Sequence, residues 1–256
     1  VTSRTVRTAG VEEELLARWP FWRANSARFA AREVWTDDTA EPTAALTLVG
    51  RHGGDALVGL GEPEALARVL GTAELPGGLV HALLPRGTWT HVPAQVRERF
   101  ALVPGGSWDW LACDSQPEQR LGEDRAEILG TGTGALAAAG AVLARGYPER
   151  SDRDDDATRT WWGWRTADGE LVAVLAARLA SADGSGVHLS AVTVVPEHRR
   201  RGIASALTAA ATRWGLAQGP LVHLGIWSDN DAARTLYLRL GFRVGAEIEN
   251  LVPAQH

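Results

Sequence analysis

The chain has 256 residues, 45% of them hydrophobic and 22% charged, with a net charge of −5. That composition suits a soluble globular protein with one large domain or two small ones. It disfavours bulk binding to nucleic acid or to an anionic membrane surface, and no apolar run approaches the ~20 residues needed to span a bilayer.

In chain order, apolar residues at helical spacing (Val11, Leu15, Leu16, Trp19) predict a helix. Pro20 interrupts it, and a second helix is expected over 21–31. Strands are expected at 44–49, 55–60 and 78–84, helices at 62–70 and 93–100, and a closing strand at 108–112. The polar stretch 115–122, with Pro117, reads as a linker. A strand at 126–129 and an Ala-rich helix at 134–145 follow, then an acidic loop, 151–156, expected to be solvated or to recruit a ligand. Strands at 158–165 and 170–179 flank a turn at 167–169, and a Gly/Ser turn at 181–186 leads into a strand at 187–195. The last elements are a helix to 218, a strand at 221–227, a helix around Tyr237 and a strand at 242–248. This order predicts an α/β chain with a mixed sheet, divided into residues 1–120 and 121–256.

The most informative stretch is Val192 to Leu207. β-branched residues end at Pro196, three arginines and Gly202 follow, and Ile203, Leu207, Ala210 and Trp214 continue at helical spacing. The first amides of a helix lack internal partners and carry the positive end of its dipole. Gly202 removes the side chain where a ligand would approach the backbone, and Arg199 and Arg201 offer charge-assisted bonds to phosphate. The alternative is a solvated basic turn. Gly130, Gly132 and Gly134 lack the spacing of a dinucleotide turn and read as a plain helix entry.

Arg199-x-x-Gly202-x-Ala204 resembles the acyl-CoA pyrophosphate loop of the GCN5-related N-acetyltransferases (GNAT). Asn230-x-x-Ala233-x-x-Leu236-Tyr237-x-x-Leu240-Gly241-Phe242 resembles that family's closing motif. The resemblance covers the chain from about residue 121 and implies a GNAT fold there. Residues 1–120 have neither motif. They read either as a degenerate GNAT-like module, as in two-module members resembling glycine N-acyltransferases, or as an unrelated α+β cap.

The resemblance implies acetyl-CoA, or another acyl-CoA, as co-substrate. It would be held by the backbone of Val192 and Val194, by the loop and helix start Arg199, Arg200, Arg201, Gly202, Ile203, Ala204 and Ser205, and by Asn230, Ala233 and Tyr237. Tyr237 would protonate the leaving thiolate, and an amide of the Val192–Val194 strand would polarise the carbonyl. Strand alternation places His188, Ser190, Val192 and Val194 on one face. His188 is the candidate general base, since a histidine with a pKa near ~6.5 accepts a proton at neutral pH. The alternative is a strand histidine that is simply hydrogen-bonded. Ser190 would orient the base or a water. Ser228 or Asp229 is expected to cap the Tyr237 helix, leaving Asn230 for the cofactor. One face of Trp161, Trp162 and Trp164 is expected in the core, and a tryptophan could offer a cation–π platform to an amine.

The expected function is therefore acyl transfer, most simply acetyl, to a primary amine of a small molecule by direct attack. A regulatory acyl-CoA-binding module and a protein acetyltransferase are the alternatives. Cys113 is the single cysteine and lies outside the matched half, which disfavours an acyl-cysteine route. All 26 basic residues are arginine, so lysine Schiff-base chemistry is excluded. The histidine spacing suggests no metal. The first ten residues show no signal peptide. The Ala/Arg/Gly-rich, lysine-free composition looks like that of a high-G+C bacterium, the single cysteine fits a cytoplasmic protein, and a monomer or homodimer is expected.

Overall fold

A computed structural model describes residues 4–6, 11–51, 53–150, 156–179 and 186–254. It divides the chain into two compact units. The first comprises Val1–Trp110, Ile226–Asp229 and Val244–His256; the second comprises Leu111–Gly225 and Asn230–Arg243. The break thus follows Trp110 rather than residue 120, and the end of the chain belongs with the N-terminal unit. The expected turn residues 181–185 and acidic residues 151–155 lie outside the described residues.

The N-terminal unit runs β1 (Arg4–Val6), α1 (Val11–Leu16), α2 (Pro20–Asn25), β2 (Ala31–Thr36), β3 (Ala44–Arg51) and β4 (Gly54–Gly61). Then come α3 (Pro63–Thr72), β5 (His81–Pro85), α4 (Thr88–His91), α5 (Ala94–Arg97) and β6 (Leu102–Cys113). Pro20 opens α2 rather than merely breaking a longer helix, because the first helical position needs no amide hydrogen. The helix expected over 21–31 stops at Asn25, and 31–36 forms a strand whose early residues Arg32 and Glu33 hide the apolar pattern. β1 to β4 pair antiparallel in sequence, and β4 pairs β5 in parallel. The chain's last strand, β12 (Arg243–Pro253), pairs antiparallel with β5 from Leu251↔Ala82 to Ile248↔Pro85. Leu46, Leu57, Leu66, Leu84, Trp89 and Leu251 join one buried core. Burying each such side chain contributes roughly 1.5–3 kcal/mol.

The C-terminal unit runs β7 (Ala126–Gly130), α6 (Gly132–Gly146), β8 (Thr160–Arg165), β9 (Leu171–Leu179) and β10 (Val187–Val194). α7 (Ile203–Gln218), β11 (Val222–Trp227) and α8 (Asp231–Arg239) complete it. β7 to β10 pair antiparallel in sequence and β10 pairs β11 in parallel. A mixed sheet with helices is therefore present, as the α/β reading expected. Ala135, Ala139, Val142 and Leu143 form the buried stripe of α6. A Cβ on Gly146 would stand 2.5 Å from Thr193 Cγ2, and one on Gly215 would stand 2.6 Å from Val222 Cγ2. Glycine at these two places lets α6 and α7 approach the strands closely. Trp161, Trp162 and Trp164 are all buried. Trp161 donates to Asp156 O at 3.0 Å, Trp164 donates to Gly122 O at 2.7 Å, and Trp162 packs edge-on to Trp214. They serve the core, not an exposed amine platform.

Candidate active site

β10 and β11 start as neighbours and part at once. Their parallel register holds Val187↔Val222 and His188↔His223. Beyond this β10 continues along β9, with a register shift between Ser190 and Thr193 and Ala191 at φ 55°. That is a β-bulge, and its extra residue bends the strand. The two strands thus form a fork. A backbone edge that leaves its partner keeps amides and carbonyls to offer a ligand.

The bulge corrects the expected alternation. His188 lies opposite Arg178 and Ser190 opposite Ala176, but Thr193 lies opposite Val174 and Val194 opposite Ala173. Paired residues share a face, so Thr193, not Val194, joins His188 and Ser190. What Val192 and Val194 can offer an acyl-CoA is backbone, as the resemblance implied.

At the mouth of the fork the chain curls through Arg200, at φ 60°, and Gly202, at φ 78°, into the sixteen residues of α7. A Cβ on Gly202 would meet nothing within 4 Å. Gly202 thus has open space on its Cβ side next to the first turn of α7, which fits an anion at a helix N-terminus. Arg200 and Arg201 are exposed beside it. Arg199 behaves differently from the expected phosphate ligand: its Nε donates to Val194 O at 3.0 Å and its Nη2 to Gly146 O at 2.7 Å. It ties the loop to the ends of β10 and α6. Arg145 adds an ion pair to Glu197 in the same loop.

α8 carries the second motif. Asn230 is itself the N-cap, its Oδ1 accepting from Ala233 N at 3.0 Å. Neither Ser228 nor Asp229 takes that role, and the Asn230 oxygen is already engaged. At the other end Gly241 adopts φ 89°, Gly241 N donates to Leu238 O and Phe242 N to Tyr237 O, both at 3.1 Å. This is a Schellman close, and its usual apolar contact is the Tyr237–Phe242 ring pair, 5.6 Å between centroids. Tyr237 is thereby fixed and only 6% exposed, and burial pushes its phenol pKa up. The phenol therefore keeps its proton at any ordinary pH.

Sequence reasoning missed two groups near Ser190 and His188. His223 is buried, with its ring centroid 5.1 Å from that of His188. Arg159 is buried too, and its Nη1 donates to Ser190 Oγ at 2.6 Å. Asp156, read as part of a solvated loop, is 1% exposed and accepts from Arg150 Nη2 at 2.8 and 2.7 Å. Cys113 is buried against the carbonyls of Ser115 and Leu240. Among the described residues no cluster of three metal-ligating side chains forms, and no helix is long and apolar enough to cross a membrane.

Solved structures share this architecture. A GCN5-related N-acetyltransferase from Kribbella flavida is 20% identical over 93% of this chain and 96% of that one, with a TM-score of 0.56. A Drosophila protein is 18% identical over 98% of each chain, at 0.60. An acetyltransferase of the GNAT family from Colwellia psychrerythraea is 13% identical over 99% of this chain and 100% of its own, at 0.54. At such identities the likeness is one of fold. No curated protein matches the chain. The Acetyltransferase (GNAT) family model does match, over 136–242, from α6 to the Phe242 that closes α8. The chain is thus similar to the GNAT acetyltransferases over residues 136–242.

Proposed function

We propose that the chain transfers an acyl group, most simply acetyl, from acyl-CoA to a primary amine of a small molecule by direct attack. The observation that carries this reading is the fork between β10 and β11 with the Gly202 loop at its mouth. The α7 amides would hold the pyrophosphate, and the β10 edge around Val192 and Val194 would pair with the pantetheine arm. An amide of that edge would polarise the thioester carbonyl in advance of the charge that develops there. His188, with His223 behind it, would take the proton of the attacking amine, directly or through water. Tyr237 would return a proton to the departing thiolate.

The test is release of free thiol from acetyl-CoA across a panel of amino acids, polyamines, amino sugars and peptide N-termini. Turnover with a small amine and none with peptides supports the reading. Turnover with peptides alone would make the chain a protein acetyltransferase, and tight acetyl-CoA binding without any turnover would make it a regulatory module.

A further inference from the structure

We propose that Arg159 is a positioning residue for this transfer, acting through Ser190, and that Asp156 and Arg150 exist to hold it. The inference rests on the transfer reading above. Three buried side chains form a line that ends on the half-buried Ser190. Arg150 Nη2 reaches both oxygens of Asp156, Asp156 Oδ1 lies 3.5 Å from Arg159 Nε, and Arg159 Nη1 lies 2.6 Å from Ser190 Oγ. The side chains of Arg150, Asp156 and Arg159 are 8%, 2% and 4% exposed. A buried ion network of this kind is no more stabilising than well-packed apolar residues of similar volume. A role for it is therefore sought at its far end.

That end is chemically unambiguous. A guanidinium has donors and no acceptor, so Ser190 Oγ accepts from Arg159. One lone pair and the rotation of the hydroxyl are fixed, and the Ser190 proton is directed to another partner. Ser190 is the last regular pair of β10 before the Ala191 bulge, on the face it shares with His188. It therefore stands where the strand turns out of the fork. A hydroxyl donor held there in advance serves negative charge developing on the acyl oxygen, and needs no reorganisation when that charge appears. This assigns Ser190 a donor role beside the strand amide, in place of a base or base-orienting role.

The test is a double-mutant cycle read by thiol release with one good amine. Ser190→Ala and Arg159→Met should each lower kcat by about 100-fold, the usual loss of one such donor, with KM for acetyl-CoA unchanged. The double variant should be no slower than either single one. Arg159→Lys should recover part of the loss, because it restores a cationic donor without the fork geometry. Multiplying losses in the double variant, or a parent-like kcat in Ser190→Ala, would overturn the assignment. Should Arg159→Met fail to fold, Ser190→Ala and Arg159→Lys still decide it. A parent that releases no thiol with any amine would overturn the transfer reading itself; an active parent with an equally active Ser190→Ala overturns this inference alone.

Discussion

Tyr237 is held by both its backbone and its ring, which makes the proton role we propose for it testable by a single substitution. Its carbonyl accepts from Phe242 N and its ring lies on Phe242, so the Schellman close of α8 fixes both backbone and rotamer. Tyr237→Phe keeps the ring packing and removes the donor. Turnover should fall by roughly 10- to 100-fold, about 1.4 to 2.7 kcal/mol of transition-state stabilisation, with acetyl-CoA affinity and melting temperature nearly unchanged at neutral pH. Burial raises the phenol pKa, which gives a second readout. Below pH ~10 folded and unfolded chains both hold this proton, and stability gains nothing from the shift. Above it the unfolded chain releases the proton while the folded one keeps it, so stability falls as pH rises, by up to ~1.4 kcal/mol per unit. Tyr237→Phe should lack that part of the alkaline slope. Arg199 is the complementary case, a cation of a phosphate loop whose bonds go to Val194 O and Gly146 O. Arg199→Met should weaken acetyl-CoA binding by about tenfold, ~1.4 kcal/mol, through a looser loop. The salt dependence of Kd should stay that of the parent, since no phosphate contact is lost. A flattened salt dependence in calorimetric titration would instead place the guanidinium on the phosphate.

Elements, more than residues, decide what a sequence reveals. The Gly202 loop and α8 were legible because their signals are local: a strand end, a glycine, a helix start and a spaced Asn, Ala, Tyr and Gly lie within a few turns. Even so, the cap of α8 was misassigned. Ser228, Asp229 and Asn230 are all capping types, and their identity alone does not choose among them. The structure chooses Asn230 through its bond to Ala233 N. Asn230→Ala should therefore cost ~1 kcal/mol of stability, or about 2–4 °C in Tm for a unit of this size, while Asn230→Ser should retain most of it. An unchanged melting curve for Asn230→Ala would return the cap to Ser228 or Asp229. The Ala191 bulge left only a faint signal: Ala carries no sign of a positive φ, but the polar residues fall at 188 and 190 and then at 193, a slip of phase at Ala191–Val192. Arg159 and Ser190 were unreadable as a pair because their contact joins the residue just before β8 to β10 across β9, which no local spacing encodes. A signal was present in Asp156 and Arg159, two opposite charges beside an aromatic strand. Charge in a loop, however, reads as solvated until burial is known.

At the scale of the whole chain, the same plan occurs twice. In each unit three antiparallel pairings are followed by a parallel one, with a helix between the parallel strands: α3 between β4 and β5, α7 between β10 and β11. This repeat supports our reading of the N-terminal unit as a degenerate module of the same type rather than an unrelated cap. What differs between the two units is the loop before the helix. Between β10 and α7 stand residues 195–202, with Arg200 and Gly202 at positive φ and open space on the Cβ side of Gly202. Between β4 and α3 stands Glu62 alone. α3 then opens on Pro63, which has no amide hydrogen to give, followed by Glu64 in its first turn. Two carboxylates flank the helix end that would have to accept a phosphate, and like charges repel there. A Cβ on Gly61 would collide with Thr43 O, so the turn has no room to widen. Calorimetric titration with acetyl-CoA should accordingly give one site per chain, lost in Gly202→Glu, which puts bulk and negative charge in the α7 loop. The charge-removed Glu62→Gln/Glu64→Gln chain should still bind one, because Pro63 and the missing loop remain. Two sites in the parent, or one site surviving in a folded Gly202→Glu chain, would show that the N-terminal unit is a working cofactor module.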